Sequence, residues 1–166
     1  GNIHKWSAEE IKHMYLKPSS SGKMMVDIEN AAKVTTWDNS YLNSEIMKQG
    51  YCYFEKAKVE FKNETATLLL QLLNPGFSNK IKVFYDPYAA ETGGFGIGEL
   101  QLTGGEDKSY FVQVGEIIAK RTKKKDYETL YKSFYADCPT LLQQLDKALK
   151  WTDFAKHVYI YSFDCK

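Results

Sequence analysis

Residues 91–116, ETGGFGIGELQLTGGEDKSYFVQVGE, hold seven glycines and are the first place to look for chemistry. Glycine lets backbone N–H groups close on a phosphate, and a dinucleotide fingerprint needs Gly-x-Gly-x-x-Gly between a strand and a helix. Here the spacing is Gly94-Phe95-Gly96-Ile97-Gly98, one residue short, and the following ELQLT alternates as a strand does. No helix N-terminus stands ready for a pyrophosphate, and no Gly-Lys-Ser/Thr follows, so both nucleotide cradles are set aside. The stretch reads instead as a loop, with 93–98 leading into a strand and Gly104-Gly105 in a hairpin connection. Its functional interest is as a rim around a ligand site.

Other reactive groups are sparse. Cys138-Pro139 opens a predicted helix, whose dipole depresses a thiol pKa, and His157 follows as a conceivable base. An inert or bridged Cys138 is the preferred reading of the same residues. Glu99 and Glu116 fall on neighbouring predicted strands, the best-placed pair of carboxylates for glycoside hydrolysis. His4, His13 and His157 make no His-x-x-His pattern, and Cys52, Cys138 and Cys165 match no zinc spacing, so no metal and no cofactor are expected. No Gly-x-Ser-x-Gly elbow occurs. An odd cysteine count closes no framework; Cys138 and Cys165 could pair in an oxidising compartment, and three unpaired thiols are the alternative. Asn63-Glu64-Thr65 is a formal glycosylation triplet, meaningful only in a eukaryotic secretory context.

Aromatic content is the unusual feature of the composition, with 12 Tyr, 9 Phe and 3 Trp. Such rings favour strands and suit ligand surfaces that are apolar at one end and wet at the other. Tyr85, Tyr88 and Phe95, beside the glycines, are the candidate ligand-facing rings, with Glu99 as the polar member of the site. A net charge of +1 argues against a nucleic-acid partner. The basic run Lys120 to Lys125 reads as a solvated strand-to-helix connection, with an anionic polysaccharide or membrane surface as the alternative partner. No apolar run approaches the roughly 20 residues of a membrane span. Gly1 in place of Met reads as a trimmed start.

These residues must be carried by a fold of α+β class. At 166 residues the chain is expected to be one domain: 1–50 a helix plus short strands, 51–119 an antiparallel β core, 120–166 a helical tail. Ser7 and Glu10 form a capping-box pattern, and Ile11, Met14 and Tyr15 follow at helical spacing, so a short N-terminal helix is predicted. Short strands are expected near 24–28 and 33–37, and a helix or loop over 40–49. YCYFEKAKVEF (51–61) places Tyr53, Ala57, Val59 and Phe61 on one parity, and 65–73 returns as a hairpin. KIKVFYD (80–86) is the next strand; 97–103 and 110–119 form a second hairpin. The expected body is an antiparallel sheet, sandwich or partial barrel of about six to eight strands. Tyr127, Leu130, Tyr131, Phe134 and Tyr135 make a helical stripe, and Leu141, Leu142, Leu145 and Leu149 continue after Pro139. Trp151 to Val158 suggests a third helix, while HVYIYSF suits helix or strand equally.

The last 45 residues or so carry a resemblance. Asp137-Cys138-Pro139 and the ending Tyr161 to Cys165 resemble the tails of secreted or lipid-anchored Bacteroidetes proteins of unknown function. The resemblance implies an extracytoplasmic location (periplasmic, cell-surface or secreted) and a β-rich body, and favours a Cys138–Cys165 bridge. It brings no activity and no catalytic residues.

Together these readings predict a non-catalytic, extracytoplasmic module that binds a glycan, lipid or protein partner through aromatic residues near the glycine-rich loop. The alternatives are a hydrolase acting on glycans or peptides, and an interaction subunit presenting a strand edge.

Overall fold

The computed structural model describes residues 10–17, 51–61, 64–89 and 109–165, with 7, 42–43, 45–46, 49, and the backbone of 96–97 and 100–101. Its strands are β1 (His13–Leu16), β2 (Cys52–Phe61), β3 (Glu64–Gln71), β4 (Ile81–Tyr85), β5 (Gly96–Ile97), β6 (Leu100–Gln101), β7 (Ser109–Val114) and β8 (Ala119–Lys123). Three helices follow: α1 (Lys124–Phe134), α2 (Pro139–Ala148) and α3 (Phe154–Asp164), the last preceded by a 3-10 turn at Trp151–Asp153. A further 3-10 turn, Pro75–Phe77, joins β3 to β4. The fold is α+β, as the order of patterns in the sequence implies.

The sheet is mixed, not purely antiparallel. β2–β3, β4–β7 and β7–β8 are antiparallel pairs, but β2 and β8 run parallel through Val59–Ala119 and Glu60–Lys120. The reason is arithmetic of direction. An antiparallel bridge from Leu72 to Phe84 joins the end of β3 to β4, so five strands alternate in direction along the chain. The first and fifth therefore point the same way, and when the curled sheet brings them together they can only pair in parallel. The result is a half-barrel of six strands, with β1 added antiparallel to the first half of β2. β5 and β6 form a separate two-stranded ribbon.

Asn74 holds the bend after β3. Its side chain donates to the carbonyls of Ile81 (2.8 Å) and Phe77 (3.0 Å) and accepts from the N–H of Val83 (2.9 Å). A buried amide thus substitutes for strand backbone where β3 leaves the ladder, and the polar groups of the turn are satisfied.

Alternation sorts the strand residues into two cores. Tyr53, Ala57, Val59, Leu70, Leu72, Phe84, Phe111 and Ala119 fill the inside of the curl. Ile81, Val83 and Val112 face the other way and pack under α1, α2 and α3, against Tyr127, Phe134, Leu141, Phe154 and Val158 among others. Tyr110 shares that face and stacks on Phe154 (5.4 Å) and Trp151 (5.5 Å). A disulfide between Cys138 and Cys165 ties the start of α2 to the end of α3. Lys80 adds a second tie there, donating to the carbonyl of Cys165 at 2.7 Å and pairing with Asp137 at 3.4 Å.

Three sequence expectations are corrected. The N-terminal helix is absent: Ser7 N–H does donate to the Glu10 carboxylate at 2.8 Å, and Glu10 N–H to the Ser7 carbonyl at 3.1 Å, so the capping pattern forms as a turn. It does not propagate, because His13–Leu16 pairs with Cys52–Glu55 as β1, and tertiary pairing outweighs a single turn of helix. The predicted strand 110–119 is two strands, broken where Gly115 takes φ +56°, a left-handed turn conformation natural to glycine. The basic run is not a connection: Lys120–Lys123 lies in β8, with Thr122 fully buried, and Lys124 already begins α1. HVYIYSF is helical, as the end of α3. The strands expected near 24–28 and 33–37 lie outside the described residues.

Candidate functional site

One mouth of the curl holds a fully buried carboxylate. Lys82, Phe84 and Asp86 share the inward parity of β4, so the carboxylate of Asp86 enters the curl just after the strand ends. It is 0% exposed. A buried carboxylate is tolerated only when paired and hydrogen-bonded. Arg121, which shares the inward parity of β8 with Ala119, donates Nε to Asp86 Oδ2 at 2.6 Å. Ser109, the first residue of β7, donates its hydroxyl to the same oxygen at 2.6 Å. The second oxygen accepts the N–H of Tyr88 at 2.9 Å. Every oxygen of the buried acid is therefore engaged.

The same arginine holds Tyr88 from the other side, donating Nη2 to its carbonyl at 2.6 Å. The Tyr88 ring stacks on Phe61 at 5.1 Å between centroids and 20° between planes. The Arg121 guanidinium lies 5.2 Å from the Phe61 ring centroid. An arginine suits this task because its planar fork donates in two directions at once, which an ammonium on a lysine stem does less well. Tyr88 nevertheless remains 59% exposed.

A cleft of about 290 Å³ opens beside this cluster, lined by Glu60, Phe61, Lys120, Arg121, Lys123, Asp126 and Leu130. It lies where β2 and β8 end after their short parallel pairing and α1 begins. Lys120 is paired with Glu60 across 3.5 Å. The cleft's volume is at the lower bound of ordinary small-molecule sites, about 300–1,000 Å³.

The sequence-predicted site residues are divided by the fold. Tyr88 is at this mouth. Tyr85 is 40% exposed but shares the parity of Ile81 and Val83, so it lies on the helix-facing side of the sheet, opposite its register partner Tyr110. The two tyrosines do not form one surface. Phe95 and Glu99 lie outside the described residues. Glu116 stands exposed in the β7–β8 turn and not on a strand. Phe61, Asp86, Ser109 and Arg121 were not identified as a site from sequence. A signal was present: Arg121 is the one arginine among 22 basic residues, and Asp86 has the inward parity of Phe84.

The Cys138–His157 pair is ruled out. Cys138 is bonded to Cys165, leaving no thiol, and His157 Nδ1 is 2.8 Å from the Tyr127 hydroxyl. That hydroxyl lies 3.2 Å from Tyr135, so a buried chain of three polar groups runs beneath the helices. Burial raises the pKa of both tyrosines and lowers that of His157, which favours the neutral forms throughout. The cluster is structural. A second, partly buried pair, Lys82 and Glu55 at 2.7 Å, also lies on the inward face of the curl, where Tyr53 donates to Glu55 at 3.4 Å. Among the described residues no group of three or more His, Cys, Asp or Glu could hold a metal, and no helix is long and apolar enough to cross a membrane.

Comparison with family models, curated proteins and solved structures gave no match to this chain.

Proposed function

We propose that the protein is a non-catalytic binding module whose ligand contacts the Tyr88 mouth of the half-barrel. One observation carries this reading: an exposed aromatic ring is fixed in place by a buried ion pair. Surface tyrosines ordinarily move with their loops. Here the peptide groups of Tyr88 are held on both sides by Asp86 and Arg121, and its ring rests on Phe61. A rigid, amphipathic ring offers contact area with little entropy left to lose on binding. The saturated hydrogen bonding of Asp86 suits a positioning role and leaves no free carboxylate for proton transfer.

The extracytoplasmic location is part of the same proposal. The disulfide between Cys138 and Cys165 supports it, since such bonds persist in oxidising compartments, and the tail resemblance to secreted or lipid-anchored Bacteroidetes proteins points the same way.

The test is a screen of glycans, lipids and peptides against ¹⁵N-labelled protein, repeated with Tyr88→Ala. That variant keeps the backbone bonds to Asp86 and Arg121 and removes only the ring. Ligand-induced shifts centred on Phe61, Tyr88 and Arg121, lost in the variant, are expected. Shifts centred elsewhere, such as the exposed Tyr159 and Phe163 rings on α3 (4.6 Å apart), would overturn the assignment.

A further inference from the structure

Resting on that reading, we infer that the ligand is an acidic saccharide, with a uronic-acid ring against Tyr88 and its carboxylate in the neighbouring cleft. The charge at the cleft is the starting point. Two acids line it: Glu60 is paired with Lys120, and Asp126 stands beside Lys123, while Asp86 next to the cleft is held by Arg121. Lys123 lines the cleft, and Lys124 and Lys125 follow it; all three are exposed and have no ion pair among the described residues. Asp126 is the one acid in the first turn of α1. Three adjacent lysines repel one another, and Asp126 and Glu128 offset only two of the three charges, so the segment suits a partner bearing negative charge.

Charge alone would fit many anions, and the surrounding shape narrows the class. The cleft is small, and the adjoining platform is an exposed aromatic face, which packs well against the apolar C–H face of a sugar. An acidic peptide bound by strand addition would need a free edge. Beyond Lys120 the open edge of β8 is only Arg121 to Lys123, about half of a typical strand. A planar-faced ring carrying one carboxylate uses both the platform and the cations.

The experiment compares three probes by NMR titration and calorimetry: oligogalacturonate, a neutral glucose oligomer of equal length, and polyglutamate. The proposal expects oligogalacturonate to move resonances of Phe61, Tyr88 and Lys123, and to bind at least about tenfold more tightly than the neutral oligomer. Affinity should fall several-fold as salt rises from about 0.05 to 0.5 M, because exposed charges are screened over ~10 Å or less. Lys123→Gln should weaken binding about three- to fivefold, the scale of one exposed ion pair. Both Lys123→Gln and Tyr88→Ala alter exposed side chains, and unchanged spectra of the helical core confirm folding. Equal, salt-insensitive binding of the neutral oligomer at the same residues would overturn the acidic class while leaving the Tyr88 mouth in place. Polyglutamate binding as tightly as oligogalacturonate would overturn the saccharide in favour of a peptide. No response to saturating oligogalacturonate would also overturn the inference, and a different ligand found at Tyr88 would still sustain the broader reading.

Discussion

Arg121→Met isolates the interaction on which the site depends. Methionine keeps most of the aliphatic stem beside Phe61 and removes both donated hydrogen bonds and the charge. Asp86 is then left 0% exposed with only Ser109 Oγ and Tyr88 N–H to stabilise it. Breaking a buried pair by removing one partner costs about 3–5 kcal/mol. Arg121 is 21% exposed and two donors remain on the acid, so the low end, about 3 kcal/mol, is expected. For a chain of this size that corresponds to a fall in Tm of roughly 6–12 °C. Asp86→Asn should be milder, about 1–2 kcal/mol, because the stranded guanidinium can reach water whereas the stranded carboxylate cannot. Urea unfolding measured by tryptophan fluorescence and far-UV circular dichroism reads both, with the m-value checking that the transition stays two-state. An Arg121→Met cost below ~1 kcal/mol, or an Asp86→Asn cost larger than that of Arg121→Met, would refute the argument that a buried acid is being held by a nearly buried cation.

Three further outcomes follow from the geometry. Reducing the Cys138–Cys165 bond, or replacing both residues by alanine, should cost about 3–4 kcal/mol for a separation of 27 residues, read as a drop in Tm in the presence of a reductant. Asn74→Ala strands the Val83 N–H and the Ile81 carbonyl at the β3–β4 bend and should cost roughly 2–4 kcal/mol in urea unfolding; a loss under ~1 kcal/mol would mean that water replaces the amide. His157 has a folded pKa lowered by burial, so the unfolded chain binds its proton more readily. Its contribution is fully present above the unfolded value of about 6.5 and is lost as pH falls toward the folded value. Thermal melts between pH 7.5 and 5 should therefore show declining stability, with a flatter profile in His157→Gln. The acids Asp137 and Asp146, whose pKa values are lowered chiefly by hydrogen bonds from Tyr161 and Tyr131, lose their contributions only in more acid solution.

Local pattern carried much of the architecture. The period-two alternation of Tyr53, Ala57, Val59 and Phe61 specified which side of β2 enters the curl, and the stripe from Tyr127 to Phe134 specified the buried face of α1. Both are legible because burial on one face imposes a period on the chain itself. Where local and long-range preferences disagreed, the sequence misled. Ser7 and Glu10 make the bonds of a helix cap, yet the next residues are a strand, because the edge of β2 offered His13–Leu16 a ladder that no local rule can anticipate. The parallel contact of β2 with β8 is equally a property of the closed curl.

The site divides the same way. Tyr88 was recognisable as a ring beside a turn. Its fixed position was not, since Asp86, Ser109 and Arg121 are brought together across 35 residues only when β4, β7 and β8 align. The lone arginine and the inward parity of Asp86 were in the sequence throughout, but a charge pair becomes specific only when both members lose water together. Composition and periodicity thus determined that this chain folds as β strands followed by helices, rich in aromatic residues. The tertiary structure alone decided that one acid would be buried, that one arginine would answer it, and that the ring between them would be held facing solvent.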